Sequence, residues 1–308
     1  MLPVADGGPV IGGRRATGLV YARLVVAERT AWAAGAAALS LDDVGRPPVV
    51  WWGMATNAQK AQEFLDLHHR GLPLVLPTAW DVWSAKLVEA AGFEALTIGS
   101  HPVSDSLGYQ DGEGLPFDML LEATARIAAG VEIPVSVDVE SGYDIEPGEL
   151  VRRVLEAGAV GINVEDTVHS SGTRRSPQEH ADYIGAIRSA ADEAGVHLVI
   201  NGRTDGFIGD GSEDERLADV LERLRLLEDA GADSLYPVKV PSRNALELIL
   251  AELSLPVNVT AHPVNGAIPG GIGLPELAEL GVKRVSFGPL LQAALAARTE
   301  DLLGSWRN

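Results

Sequence analysis

From Gly71 onward one unit recurs along the chain: a short apolar run, then a longer helical stretch, then in most cases a glycine. The runs are Leu74–Leu76, Ala95–Ile98, Val135–Val139, Gly161–Val164, His197–Asn201, Ser234–Pro237, Val257–Thr260 and Arg284–Phe287. The helical stretches that follow them cover 81–91, 117–129, 147–157, 177–194, 213–230, 243–253, 274–280 and 289–297. Runs this short, apolar and free of alternation read as parallel strands covered on both faces. Glycines 92, 130, 158, 195, 231 and 281 stand where a helix ends in a left-handed residue. Eight strand–helix units in this order and length predict an α/β fold, an eight-fold (β/α)8 TIM-type barrel. A doubly wound open sheet is the other arrangement for such a pattern. It more often carries a glycine-rich phosphate turn after its first strand, and none is present here.

The barrel repeat does not extend to the beginning of the chain. Residues 1–53 carry five arginines, no lysine and four acids, whereas the whole chain has a net charge of −19. Nearly all the negative charge therefore lies downstream. Met54 opens an amphipathic helix in which Ala58, Ala61, Phe64 and Leu65 recur at helical spacing. We read 1–53 as a poorly ordered or non-native extension and 54–308 as the catalytic barrel domain. The bland alternative for 1–53 is an extra helix packed on that domain.

Composition narrows the function. A charge of −19 disfavours nucleic acid and anionic membrane as partners. No apolar run reaches the roughly 20 residues that a membrane span needs. The chain has no cysteine, which removes disulfides, thiolate metal sites and a thiol nucleophile, and fits a cytoplasmic location. A small anionic substrate would need local positive charge, from arginine or a metal.

Active sites of such barrels lie at the carboxyl ends of the strands, so the residues there are the candidates. The third run ends in Asp138 and Glu140. In an extended chain these side chains share one side, roughly 6.5–7 Å apart. Glu165 and Asp166 end the fourth run, His169 follows, and Arg203 and Asp205 end the fifth. Gly99, Ser100 and His101 end the second, Lys239 follows the sixth, and Asn258 lies in the seventh. Acids crowded at one rim repel unless a cation or a proton relieves them, which suits a hard, oxygen-seeking ion such as Mg2+. Each candidate has a plainer reading. Asp81 caps the helix it opens, Asp166 and Asp205 brace loops, Arg203 pairs with Asp205 and nothing else, and His169 is a solvated loop residue. His68, His69, His180 and His197 read as structural or surface residues.

The stretches PTAWDVWSAKLVEAAGFEALTIGS, PVSVDVESGY, AGAVGINVEDT, INGRTDGF and EDAGADSLYPV follow one another in a known order. In these the chain resembles the isocitrate lyase/phosphoenolpyruvate mutase superfamily over residues 58–300. The resemblance implies a barrel, Mg2+ (or Mn2+), and a small anionic 2-oxo carboxylate or its enolate. It also implies a homo-oligomer, tetramer or dimer, with a C-terminal helix exchanged between subunits. Asp138 resembles the direct metal ligand, and Glu140 and Glu165 the acids that hold the metal through waters. Gly99 and Ser100 resemble the cradle for the substrate carboxylate, Arg203 the arginine at its anionic end, Asp81 the aspartate beside it and Asn258 the asparagine after strand seven.

Two departures affect the expected reaction. Lyases of the superfamily carry a cysteine in the loop after strand four; here that stretch is HSSGTRRSP. Better-known members also place aspartate where this chain has Glu140. The expectation is therefore an Mg2+-dependent carbon–carbon lyase or decarboxylase acting on a small 2-oxo or 2-hydroxy carboxylate. Isocitrate and methylisocitrate should be poor substrates. His169 becomes the candidate acid, and Arg174 and Arg175 candidate substrate contacts on a mobile lid. The other readings are a phosphonate P–C mutase or hydrolase, and a non-catalytic binding protein that kept the metal cup.

Overall fold

The computed structural model describes residues 49–267 and 270–307, with side chains from residue 57 onward. Its parallel strands are β1 (Leu74–Leu76), β2 (Leu96–Ile98), β3 (Val135–Asp138), β4 (Gly161–Val164), β5 (Val199–Thr204), β6 (Ser234–Pro237), β7 (Asn258–His262) and β8 (Arg284–Ser286). β2 through β6 form one continuous ladder, and β7, β8 and β1 form a second. Two seams join them. Beyond Pro77 the first strand continues as Thr78–Ala79, which pairs with Thr97 and Ile98 of β2. On the other side Leu235 bridges Val257, and its N–H donates to the Pro256 carbonyl at 2.9 Å. The ladders therefore run right round, closing the expected eight-stranded barrel.

The helices are α1 (Val49–His68), α2 (Val82–Ala90), α3 (Ser100–Leu107), α4 (Phe117–Ala128), α5 (Pro147–Glu156), α6 (Pro177–Glu193), α7 (Glu213–Asp229), α8 (Arg243–Glu252), α9 (Leu274–Leu280) and α10 (Leu290–Gly304). α1 begins ahead of Met54, so the boundary read there falls inside a helix. Residues 1–48 of the expected extension lie outside the described residues. Short and polar, α3 has no counterpart in the sequence reading. The glycine stops hold at Gly92, Gly158, Gly195, Gly231 and Gly281, all left-handed. Gly130 is not left-handed; a Cβ there would stand 2.9 Å from Val82 Cγ1, so close packing is what requires it. Among the described residues no helix is long and apolar enough to cross a membrane.

α1 closes the amino-terminal end of the barrel. Phe64 is fully buried against Gly161, the first residue of β4, where a Cβ would meet its ring at 2.5 Å. One turn later His68 donates from Nδ1 to the Phe64 carbonyl at 2.7 Å. Its Nε2 is thus left to accept from Arg284, the first residue of β8, at 2.8 Å. Burial lowers the His68 pKa to about 3, so the ring is neutral. Arg284 is completely buried, and among the described residues no carboxylate lies within 4 Å of it. Burial lowers its pKa to about 9. Its second guanidinium nitrogen donates to Asn163 Oδ1 at 3.1 Å, carrying this polar column up towards the opposite end of the barrel.

Candidate functional site

A cavity of about 430 Å3 opens at the carboxyl ends of the strands. Asp138, Asn163, Arg203 and Tyr236 line its floor, Gly99 and Ser100 one wall, and Lys239 and Ile208 its mouth. Gly99 precedes α3, whose first turn has no side-chain cap. The first N–H groups of a helix lack intrahelical partners and favour an anion. A Cβ at Gly99 would stand 2.8 Å from both Thr78 Cγ2 and Pro102 Cδ, so only glycine fits this wall. The Gly99 N–H, however, donates to the Ala79 carbonyl at 3.3 Å, so Gly99 shapes this wall and the cradle expected of Gly99 and Ser100 shifts onto the helix start.

The three acids expected at the metal are brought together, in different surroundings. β3 ends at Asp138, and Glu140 is left-handed with φ near 50°. Extended-chain spacing therefore does not hold for this pair. Asp138 borders the cavity, with Oδ1 accepting from the Glu140 N–H at 3.1 Å. Glu140 turns away to accept from the Glu113 N–H and, at 3.2 Å, from the Tyr143 hydroxyl. Glu165 pairs with Arg203 and accepts from His169 Nε2 at 2.6 Å. Burial raises the Asp138 pKa to about 7 and the Glu140 pKa to about 8. The bond to Glu165 raises His169 to about 9, so His169 is an imidazolium paired with Glu165 rather than a group facing the cavity.

Arg203 lies among the acids. Its Nε donates to Asp205 Oδ1 at 2.9 Å, and it stands 3.9 Å from Asp138 Oδ2. Arg203 thus pairs with Glu165 as well as Asp205, against the plainer reading, and it borders the cavity. Asp166 braces the same rim from behind, accepting from Thr204 Oγ1, the Asp205 N–H and Arg223.

Besides His169, four further expected residues lie away from the cavity. Asp81 caps α2 in a capping box with Ser84, its plainer reading, and borders a surface groove near Trp83 and Arg126. Asn258 opens β7 one interior layer below the cavity, bonded to Ser286 Oγ at 3.0 Å; Thr260, two residues on, is the one that lines it. Arg174 and Arg175 sit on a small hairpin, Thr167–Val168 against Thr173–Arg174, that faces outward. Arg174 reaches Asp219 at 3.5 Å. Arg175 donates to the Ser141 and Glu165 carbonyls at 3.0 and 3.3 Å and lies 4.4 Å over the Tyr183 ring. Arg175 thus ties the hairpin to the rim. We expect Arg175→Ala to lose about 2–3 kcal/mol in urea denaturation, since two carbonyls lose a charged donor. Arg174→Ala should change neither stability nor kcat/KM by more than about twofold, as an exposed pair contributes little.

The sequence reading missed Asp111. It lines the cavity, accepts from His101 Nδ1 at 3.0 Å, and adds by its charge to the upward pKa shift that burial gives both Asp138 and Glu140. Its loop is clasped to the rim: the Glu113 carboxylate accepts from Ser141 Oγ at 2.5 Å and the Tyr143 N–H at 2.9 Å. In sequence, QDGEG reads as an ordinary solvated turn.

Among the described residues no three Asp, Glu or His side chains converge closely enough to ligate one ion directly. Asp138 is nevertheless an oxygen ligand at the cavity, with Glu140, Glu165 and Asp111 around it. Burial disfavours the ionised forms of Asp138, Glu140 and Glu165. A dication at Asp138, keeping waters towards the other acids, would stabilise those forms. Mg2+ characteristically retains such waters, so the donor set fits it.

A closed parallel barrel with an acidic carboxyl-end cavity and an uncapped helix start defines an enzyme-type site. The family model for phosphoenolpyruvate phosphomutase matches residues 64–305. The chain belongs to that family, within the phosphoenolpyruvate mutase/isocitrate lyase superfamily, whose members are lyases or mutases. It is 34% identical over 241 residues to an uncharacterised protein of Mycobacterium tuberculosis, covering 76% of this chain and 87% of that one. It is 29% identical over 231 residues to an oxaloacetate decarboxylase of Bradyrhizobium sp., covering 72% and 75%. Among solved structures, a candidate phosphonomutase of Burkholderia cenocepacia superposes with a TM-score of 0.71 at 38% identity, covering 80% of this chain and 99% of that one.

Proposed function

We propose that the chain is an Mg2+-dependent carbon–carbon lyase or decarboxylase acting on a small 2-oxo or 2-hydroxy carboxylate, with Mn2+ able to replace Mg2+. The observation that carries this reading is one cavity holding Asp138, Arg203 and the uncapped Gly99–Ser100 helix start. Asp138 would hold the metal directly, and Glu140 and Glu165 through waters. When bound, the metal would supply Lewis-acid stabilisation of charge developing on the substrate's oxo and carboxylate oxygens. The N–H groups at Ser100 and His101 take the substrate carboxylate. Asp205 fixes the Arg203 guanidinium for its contact with the anion. Ile208 and Val240 line the same cavity with apolar surface that limits water.

Decarboxylation is favoured among these reactions. The chain has no cysteine, and His169 is tied to Glu165. A decarboxylation whose enolate takes its proton from water needs no loop acid. The oxaloacetate decarboxylase relatives support the same choice. A P–C mutase or hydrolase is the second reading, favoured by the Burkholderia neighbour. For assembly we propose a homo-oligomer in which α10 docks on another subunit; it buries no residue and exposes Leu295, Leu302 and Leu303. The cysteine-free composition supports a cytoplasmic setting.

The test is turnover of oxaloacetate, dimethylmalate, methylisocitrate, phosphonopyruvate and phosphoenolpyruvate, with Mg2+ and with a chelator. Metal-dependent release of CO2 from oxaloacetate, with methylisocitrate a poor substrate, is expected. Phosphonopyruvate turnover alone would establish the second reading. Efficient methylisocitrate cleavage would overturn the preference for decarboxylation, and no turnover of any of them would overturn the lyase or decarboxylase assignment.

A further inference from the structure

We infer that Asn163 is a substrate contact, its amide N–H aimed at a substrate oxygen beside Asp138, and that buried Arg284 is the residue that aims it. The inference rests on the proposed function and adds a donor to the same site. Asn163 lies in β4 directly across from Asp138 in β3, so the two side chains share one interior face. Both line the cavity.

The amide orientation follows from hydrogen-bonding rules. The guanidinium of Arg284 only donates, so the Asn163 atom 3.1 Å from it is the carbonyl oxygen. Asn201 Nδ2 donates to the same oxygen at 2.9 Å, and its own carbonyl is held by Ser234 Oγ at 2.7 Å. With Oδ1 held from behind by two donors, Nδ2 is the group left for the cavity. Among the described residues it has no acceptor, and it is not one of the buried side-chain atoms left without a partner. The cavity is where its N–H groups find space.

This role gives the Arg284 charge a purpose that packing alone does not. A buried cation without a carboxylate is unfavourable. Here His68 and Asn163 accept from it, and the amide of Asn163 cannot turn its oxygen to the cavity without setting two NH groups against each other. A fixed donor next to the expected metal ligand is suited to the oxygen that gains negative charge as the enolate forms. A contact that strengthens as charge develops belongs to the transition state more than to the ground state.

Oxalate, a planar dianion resembling pyruvate enolate, serves as the probe, and pyruvate as its ground-state control. Titration calorimetry with Mg2+ present is expected to show Asn163→Ala binding oxalate at least tenfold more weakly, with pyruvate and Mg2+ affinities within twofold of wild type. Asn163→Asp keeps an acceptor for both Arg284 and Asn201, so it folds, and it too is expected to lose oxalate. Arg284→Met is expected to weaken oxalate at least threefold with pyruvate and Mg2+ affinities within twofold of wild type, an outcome that a purely structural arginine would not give. Unchanged oxalate affinity in either Asn163 variant overturns the substrate contact. Unchanged affinity in Arg284→Met overturns the aiming role. If wild type binds Mg2+ but neither oxalate nor pyruvate, the carboxylate reading of the site fails, and this inference with it.

Discussion

Arg203→Ala is expected to destabilise the protein by about 3–5 kcal/mol, the scale seen when one partner of a buried ion pair is removed. Arg203 is the charge that makes the rim tolerable. It pairs with Glu165 and Asp205, both buried, and stands near Asp138. Without it these carboxylates face one another in a poorly solvated space, with His169 the one cation paired to Glu165 among the described residues. Two-state urea denaturation of the wild type and the variant measures the difference. Arg203→Lys should recover part of the loss but not the activity, because an ammonium group cannot reproduce the planar, multiply bonded contact. A loss under about 1 kcal/mol for the alanine variant would show that the rim acids are protonated, and that Arg203 is not what holds them.

Asp138→Asn is expected to do the reverse, removing activity by about a hundredfold or more while leaving the fold intact. Even outer partners of a metal contribute about 10–100-fold, and a direct ligand contributes at least as much. Burial already pushes the Asp138 carboxyl up to about 7, so its charge is a burden on the folded state. The isosteric amide removes that burden, and the melting temperature should hold or rise. Calorimetry of Mg2+ binding and the rate of oxaloacetate decarboxylation give the two readouts. Retained Mg2+ affinity in Asp138→Asn would remove Asp138 from the metal site, whatever happens to the rate.

The barrel was readable from the chain because it is written locally. Each strand is a short apolar run, each helix an amphipathic stretch with its own stop, and the positions of β3, β4 and β6 agree within a residue or so. Asp138, Arg203, Gly99 and Ser100 were readable for the same reason. They stand at or just beyond strand ends, and strand ends in a parallel barrel share one rim. Asp81 and Asn258 misled because sequence proximity to a strand end does not say which layer or which side a residue occupies. Asp81 stands just before its helix and is drawn into its cap; Asn258 is two residues too early and falls one layer below.

By itself the sequence determined the class of fold, the carboxyl-end rim as the place for chemistry, the absence of a thiol and the acids that crowd the rim. Only the tertiary structure decided how those acids are partnered. The left-handed turn at Glu140, the outward hairpin that carries Arg174 and Arg175, and the inward loop that brings Asp111 to the cavity are all set by contacts between distant segments. The polar column from Phe64 through His68 and Arg284 to Asn163 joins four residues from three separate parts of the chain. No local pattern marks it, because a hydrogen bond between remote residues leaves no periodicity in the sequence of either. Closing the barrel is what places α1 and the start of β8 beneath β4, and so fixes which atom of Asn163 faces the cavity.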